Sequence, residues 1–318
     1  MDNIRYLLPR EGKFFKANLH CHSVVSDGGY TPEMLKEAYA LRGYQIIAYT
    51  DHRICVPHGD LSDGQFLALT GTELDSLSSP GDTGWEKACH LCCISRDPTG
   101  CERMPQLPDY SFRSTSDTVE LLNRSGFIVH FNHPAWSAQS TPDYVGLQGL
   151  HGFEVYNHCS QAYAMEGLAL NDFALFLKGG GKAYPVAADD NHNLSKNKRF
   201  ITDSFGGFTM IKAPELTYDS VISALDQAHV YASTGPLISE YFLAGKRLHV
   251  ACSPVSKAVL KTARVGVNKQ NVIMPSDTIT QVDFDLSGAS GFAYVELYAQ
   301  DGTFACTAPV YAADWADK

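Results

Sequence analysis

The sequence predicts an α/β protein: a parallel barrel over residues 1–236, carrying a small antiparallel β unit at 237–318. Short β-rich apolar runs alternate with helical periods through the first part, which is the grammar of βαβ units. These runs repeatedly end in histidine or a carboxylate, and the carboxyl ends of barrel strands are where such folds gather their chemistry. After Pro236 the helical period stops, and alternating runs such as 293–298, with turns such as Asp301-Gly302, take over. A length of 318 residues suits one large barrel, or a medium domain with a small companion.

The first strand is predicted over 13–19 and leads into Asn18-Leu19-His20-Cys21-His22-Ser23. Histidines at i and i+2 of a strand share a face, and imidazole is the commonest side-chain ligand of zinc-like cations. Asp27 follows on a loop able to fold back to the same pocket, while Cys21 points to the opposite face. Thr31 is placed to cap a helix that has Pro32 at its first position and ends at Gly43.

The next run, 44–49, closes on Thr50-Asp51-His52, and 66–73 closes on Glu73. Residues 76–87 are rich in Gly, Ser and Pro and are expected as a loop over the mouth. Cys89, Cys92, Cys93 and Cys101 suggest a zinc knuckle, but the second knuckle is missing and a buried strand around His90 fits better. Asp117-Thr118-Val119-Glu120 has capping-box spacing and opens a helix to about Gly126.

Residues 127–134 form a strand with His130 and His133 at its exit, and 152–158 another, ending in Asn157-His158. A helix is expected over 161–178, stopped by Gly179-Gly180-Gly181. Strand 182–188 opens onto Asp189-Asp190-Asn191-His192, followed by a basic loop with Lys196, Lys198 and Arg199. A strand at 208–212, a helix at 217–228 and a strand at 229–233 complete the barrel region.

The net charge of −10 argues against a nucleic-acid polymer as partner. No apolar run approaches a membrane span and the N-terminus lacks a signal-peptide core, so a cytoplasmic protein is expected. The nine cysteines have no disulfide-scaffold spacing and read as reduced thiols.

His20, His22, Asp27, His52, Glu73, His90, His133, Asp190 and His192 all fall at or just beyond predicted parallel strands, so a barrel would converge them on one rim. Imidazoles with a few carboxylates suit zinc, manganese or iron better than magnesium or calcium. Nine such groups exceed the needs of one tetrahedral ion, and burying them without cations is costly. The count favours a multinuclear site.

In their order and spacing, His20-x-His22 with Asp27, Thr50-Asp51-His52, Gly71-Thr72-Glu73, His90, His133-Pro134 and Asp190-x-His192 resemble the motifs of the PHP (polymerase and histidinol phosphatase) family. Tyr231-Ala232-Ser233-Thr234-Gly235-Pro236 with the β tail is similar to its carbamate-hydrolase-like (CehA/McbA) branch. The resemblance implies a distorted (β/α)7 barrel holding three divalent ions. His20, His22, Glu73 and Asp190 would hold the first ion; Glu73, bridging, with His90 and His133 the second; Asp27, His52 and His192 the third. His133 is preferred to His130 as the ligand, and Asp51 would orient a ligand or relay a proton.

Such ions lower the pKa of a bridging water and neutralise charge on a phosphoryl group. The expected activity is hydrolysis of a small-molecule phosphate ester, a phosphomonoester above all, with Glu73, Asp51 and His158 in the catalytic machinery. Arg53, Asn157 and Arg199 are the candidates for substrate contact. The alternatives are a hydrolase of amides, esters or carbamates, and an inactive metal-binding module.

Overall fold

In the computed structural model, residues 4–78, 84–107, 115–194, 202–264, 269–271 and 278–315 are described. After a short β1 (Ile4–Tyr6), the strands β2 (Lys13–Asn18), β3 (Ile46–Tyr49) and β4 (Leu67–Ser78) pair in parallel. Thr31 caps helix Pro32–Ala40 by accepting from the Met34 N–H, and the chain turns into β3 through Gly43 at φ +77°.

The direction then departs from an all-parallel barrel. β5 (Lys87–Ser95) runs back antiparallel to β4 through eight paired positions, from Gly71–Ile94 to Ser78–Lys87. The expected loop over 76–87 is therefore largely ribbon, with 79–83 outside the described residues. β6 (Phe127–Phe131) is antiparallel to β5, and β7 (Gly152–Asn157) and β8 (Tyr184–Ala188) resume parallel pairing. β9 (Phe208–Ala213) is antiparallel to β2, and β10 (Val230–Ser233) is antiparallel to β9.

β2 and β8 stand together beyond their own ladders. Cys21 and Asn191 form a parallel bridge, and Asp190 donates its N–H to the His20 carbonyl at 2.9 Å. Inside lies a core of Ala17, Leu19, Ile46, Ala48, Leu69, Ile94, Ile128 and Val186. Removing each larger aliphatic side chain from water stabilises the fold by about 1.5–3 kcal/mol. Helices Thr115–Arg124, Leu170–Lys178 and Tyr218–Asp226 bury their apolar faces against the sheet.

The single helix expected over 161–178 is two, His158–Ala164 and Leu170–Lys178. Met165 adopts φ +62° and ends the first, and Gly167 then passes so near the Asn157 carbonyl that a Cβ would lie 2.1 Å from its oxygen.

The C-terminal strands are β11 (Ile238–Ala244), β12 (Arg247–Val255), β13 (Lys257–Thr262), β14 (Lys269–Asn271), β15 (Ile279–Asp285), β16 (Phe292–Tyr298), β17 (Phe304–Thr307) and β18 (Val310–Tyr311). Their pairings are antiparallel, as the alternating sequence requires. β1, β11, β12 and β15 make a four-stranded sheet, while β17 pairs with β10 and so continues the main sheet.

Cys89, Cys92 and Cys93 are buried within β5, as a core strand predicts. The expectation that all cysteines are reduced is corrected: Cys55 and Cys101 form a disulfide across 46 residues. Sequence spacing cannot reveal two distant loops that fold side by side.

Candidate metal centre

Leu19 is the last residue of the first strand run to enter the core, and beyond it His20 and His22 both turn into one pocket with their Nε2 atoms 3.2 Å apart. His20 Nε2 lies 3.2 Å from Glu73 Oε1 and 3.1 Å from Asp190 Oδ1. His22 Nε2 lies 3.3 Å from Glu73 Oε2 and 3.0 Å from the same Asp190 oxygen. His20, His22 and Glu73 are essentially inaccessible to solvent, and Asp190 is 8% exposed.

Glu73 faces a second set as well. Its Oε1 is 3.2 Å from His90 Nδ1 and 3.4 Å from His133 Nε2, and it accepts from Asn132 Nδ2 at 2.7 Å. His90 reaches the rim from near the start of a descending strand, opposite Asp75, and not from the end of an ascending one. The prediction placed it at a parallel strand end; the antiparallel ribbon brings it to the same rim by the reverse route.

The third set surrounds Asp27 at the mouth. His192 Nε2 is 3.4 Å and His52 Nε2 3.8 Å from Asp27 Oδ2, and His22 Nδ1 is 3.7 Å from Oδ1. The His22 ring stacks between His52 and His192, with centroids at 4.4 and 4.3 Å. In each of the three sets the potential ligand atoms lie within 4.8 Å of one another.

These residues fit divalent cations. His22 Nδ1, His52 Nδ1 and Asp190 Oδ1 are buried without a hydrogen-bond partner, a costly state for polar atoms that metal coordination relieves. The electrostatics agree. Burial opposes charge on His20, yet the carboxylates of Asp190, Glu73 and Glu154 push its pKa well above the ordinary value. Burial likewise disfavours the anions of Glu73 and Asp190, yet the surrounding imidazoles hold both well below the usual carboxylate range. Against its own burial, His192 is pushed up to about 12 by Asp27, Cys159 and Asp190, and the His192 hydrogen bond lowers Asp27 to about 2. The carboxylates thus favour the protonated forms of His20, His22 and His192 in the ion-free protein.

The remaining candidates are placed differently. Asp51 does not face the imidazoles; its carboxylate accepts from the N–H and hydroxyl of both Ser23 and Ser26 at 2.8–3.1 Å, pinning the loop that carries Asp27. That makes it a positioning residue and corrects the proton-relay reading. Asn157 is fully buried, donates to Glu154 and Asp190 at 3.0 Å and caps helix His158–Ala164, so its side chain orients these two acids where a substrate contact is expected from the sequence.

Arg53 binds Asp75 through Nε and a terminal nitrogen at 2.8 and 2.9 Å, where a substrate grip was expected. His158 bonds the Tyr156 hydroxyl at 3.0 Å, packs over Gly206 and joins none of the ligand groups among the described residues. Arg199, with Lys196 and Lys198, lies outside the described residues. His130 bonds the Tyr184 hydroxyl at 2.8 Å across to β8, leaving the pocket to His133. Cys21 is buried beside Leu35 and Tyr39, away from the pocket.

Sequence reasoning passed over Glu154, Asn132 and Asp75. Glu154 Oε1 holds His20 Nδ1 and its Oε2 accepts the His133 N–H at 2.9 Å. The available signal was an acid inside the apolar run Gly152-Phe153-Glu154-Val155, at a position facing inward. Asp75 Oδ1 lies 3.5 Å from His52 Nδ1, which is also 3.3 Å from Glu73 Oε2, and Asp75 accepts from Arg53 Nε at 2.8 Å.

Together the fold and these sets define a candidate polynuclear metal centre on an α/β scaffold. Among solved structures, the chain is similar to a two-domain protein from Bacteroides vulgatus containing a predicted PHP-like metal-dependent phosphoesterase, with 17% identity and a TM-score of 0.47 over 94% of this chain and 96% of that one. It is also similar to a protein from Bifidobacterium adolescentis described as a metal-dependent phosphoesterase, with 14% identity and a TM-score of 0.37 over 59% of this chain and 92% of that one. A third is an amidohydrolase from Chromobacterium violaceum, with 15% identity and a TM-score of 0.41 over 67% and 96% of the two chains. None of the three is described as carbamate-hydrolase-like. No family model and no curated protein matches the chain. No helix among the described residues is long and apolar enough to cross a membrane.

Proposed function

We propose that this chain is a metal-dependent phosphoesterase that hydrolyses a small-molecule phosphate ester at a centre of three divalent ions, drawn from zinc, manganese and iron. The observation that carries the proposal is the position of Glu73, whose two oxygens serve neighbouring ligand sets at 3.2–3.4 Å. When bound, adjacent divalent ions supply Lewis acidity toward phosphoryl oxygens and a nucleophile at neutral pH.

The chain's own residues prepare that chemistry. Glu154 fixes the ring of His20, Asn157 turns Asp190 inward, and Asp51 holds the Asp27 loop at the mouth. Asp27, the most exposed of the ligands, stands where substrate enters. A phosphate, with several non-bridging oxygens, suits a site built for more than one cation.

The Arg53–Asp75 pairing favours a second reading, hydrolysis of an amide, ester or carbamate, because an uncharged substrate needs no guanidinium to grip it. Metal analysis of protein purified without chelator, followed by parallel phosphate-ester and carboxylic-ester panels, separates the two. Phosphate release that disappears in Glu73→Ala supports the first. Turnover of carboxylic esters alone establishes the second. Phosphate release persisting in Glu73→Ala at normal metal content removes this centre from the reaction.

A further inference from the structure

On the phosphoesterase reading above, we infer that Trp136 and Leu77 form an apolar wall that receives the leaving group, and that the substrate is the phosphate ester of a planar aromatic alcohol. Trp136 is 46% exposed, yet its ring centroid lies 5.0 Å from that of His133 and 5.5 Å from that of His90. It therefore stands directly beside the two imidazoles of the second ligand set.

Its turn is firmly held. Ser137 returns its N–H to the His133 carbonyl and its hydroxyl to His133 Nδ1, both at 3.1 Å. Gln139 Nε2 donates to the Ala88 carbonyl at 2.6 Å, and Ala88 donates its N–H to the Ser137 carbonyl at 3.0 Å. The turn is thus bonded to the β4–β5 ribbon on the same side of the centre.

Leu77 comes from that ribbon. Glu73, Asp75 and Leu77 alternate with Leu74, Ser76 and Ser78, so the first three share the face that carries the pocket. Exposure along this face climbs from 1% at Glu73 to 66% at Leu77, while Leu74, Ser76 and Ser78 stay at 7% or below. Leu77 is paired with Ala88 two positions outward from the Asp75–His90 pair, which puts its side chain beyond His90 on the pocket side.

Single exposed apolar residues are ordinary. A rigid indole beside His90, and a leucine one pair further along the ribbon face that carries His90, stand on two elements bonded to each other and offer apolar surface on one side of the centre. Aromatic side chains give a large contact area at low conformational cost, and small-molecule pockets are lined by such groups. With phosphate drawn to the ligand sets, the alcohol portion lies against this wall. A flat, uncharged ring matches it; a polyol does not.

The test is selectivity, the ratio of kcat/KM for 2-naphthyl phosphate over glycerol phosphate, in the metal-loaded protein. Trp136→Ala should lower that ratio at least tenfold and Trp136→Phe by threefold or less, with Leu77→Ser falling in the same direction. Fluorescence quenching by 2-naphthyl phosphonate, read as the difference between the parent protein and Trp136→Phe, reports binding independently of turnover. A ratio unmoved in both Trp136→Ala and Leu77→Ser, or a change in oligomeric state in its place, overturns the wall. If no phosphate ester is turned over but 2-naphthyl acetate is, with the same dependence on Trp136, the wall stands and the phosphoesterase reading falls.

Discussion

Glu154 Oε1 lies 3.0 Å from Nδ1 of His20. With Nδ1–H donated to that carboxylate, Nε2 offers its lone pair to the pocket, where Glu73 and Asp190 also converge. Glu154→Gln keeps the shape and weakens this hold. Metal affinity is expected to drop about 10- to 100-fold, as loss of such outer partners does elsewhere. Competition titration with a chromogenic chelator measures it, and circular dichroism should show an unchanged fold.

Glu73 serves two ligand sets, so its loss should remove more than one ion's worth of binding. In Glu73→Ala, elemental analysis is expected to show at least two fewer equivalents than the parent protein. His192→Ala, confined to the set at the mouth, should lose one.

Proton linkage gives a further expectation for the chelator-treated protein. His192 is raised from 6.5 to about 12, so its stabilising contribution is complete below pH 6.5 and is lost as pH climbs toward 12. Asp27 is lowered from 3.8 to about 2, so its contribution is complete above pH 3.8 and is lost as pH falls toward 2. For these two groups the thermal midpoint should be higher near pH 6 than near pH 9, by roughly 2–4 °C per kcal/mol lost. Metal loading displaces the imidazole protons, which calorimetry in buffers of different ionisation enthalpy will count, and should flatten the alkaline slope.

Asp51→Ala removes the acceptor of two backbone and two hydroxyl donors on the Ser23–Ser26 turn. A loss of about 2–4 kcal/mol is expected in urea denaturation, because bonds to a buried charge are strong and their donors are left unsatisfied. Binding at the Asp27 set should weaken with it.

The Cys55–Cys101 bridge joins cysteines 46 positions apart, and opening it should cost about 2–4 kcal/mol. Thermal melts with and without dithiothreitol will show this, and peptide mapping of unreduced protein will show the linkage itself.

Much of this was legible in the sequence for a physical reason. Imidazoles and acids that interrupt or end apolar runs stand out, so the residues of all three sets could be named from the chain, and the β tail announced itself by alternation. What was hidden depends on direction or distance. An apolar run does not say whether it ascends or descends, so β5 read as one more parallel strand. Glu154 meets His20 across 134 positions, and Cys55 meets Cys101 across 46. Asn157 and Arg53 look available for substrate in the sequence because their partners, Asp190 just past β8 and Asp75 on β4, come from other parts of the chain.

The ribbon of β4 and β5 has a consequence for how such a protein diversifies. Lengthening a two-stranded arm by a matched pair of residues on each side adds one side chain per strand to the pocket face and leaves Glu73 and His90 where they are. The reach and texture of the entrance can therefore drift in even-numbered steps while the ion-gripping floor is inherited intact.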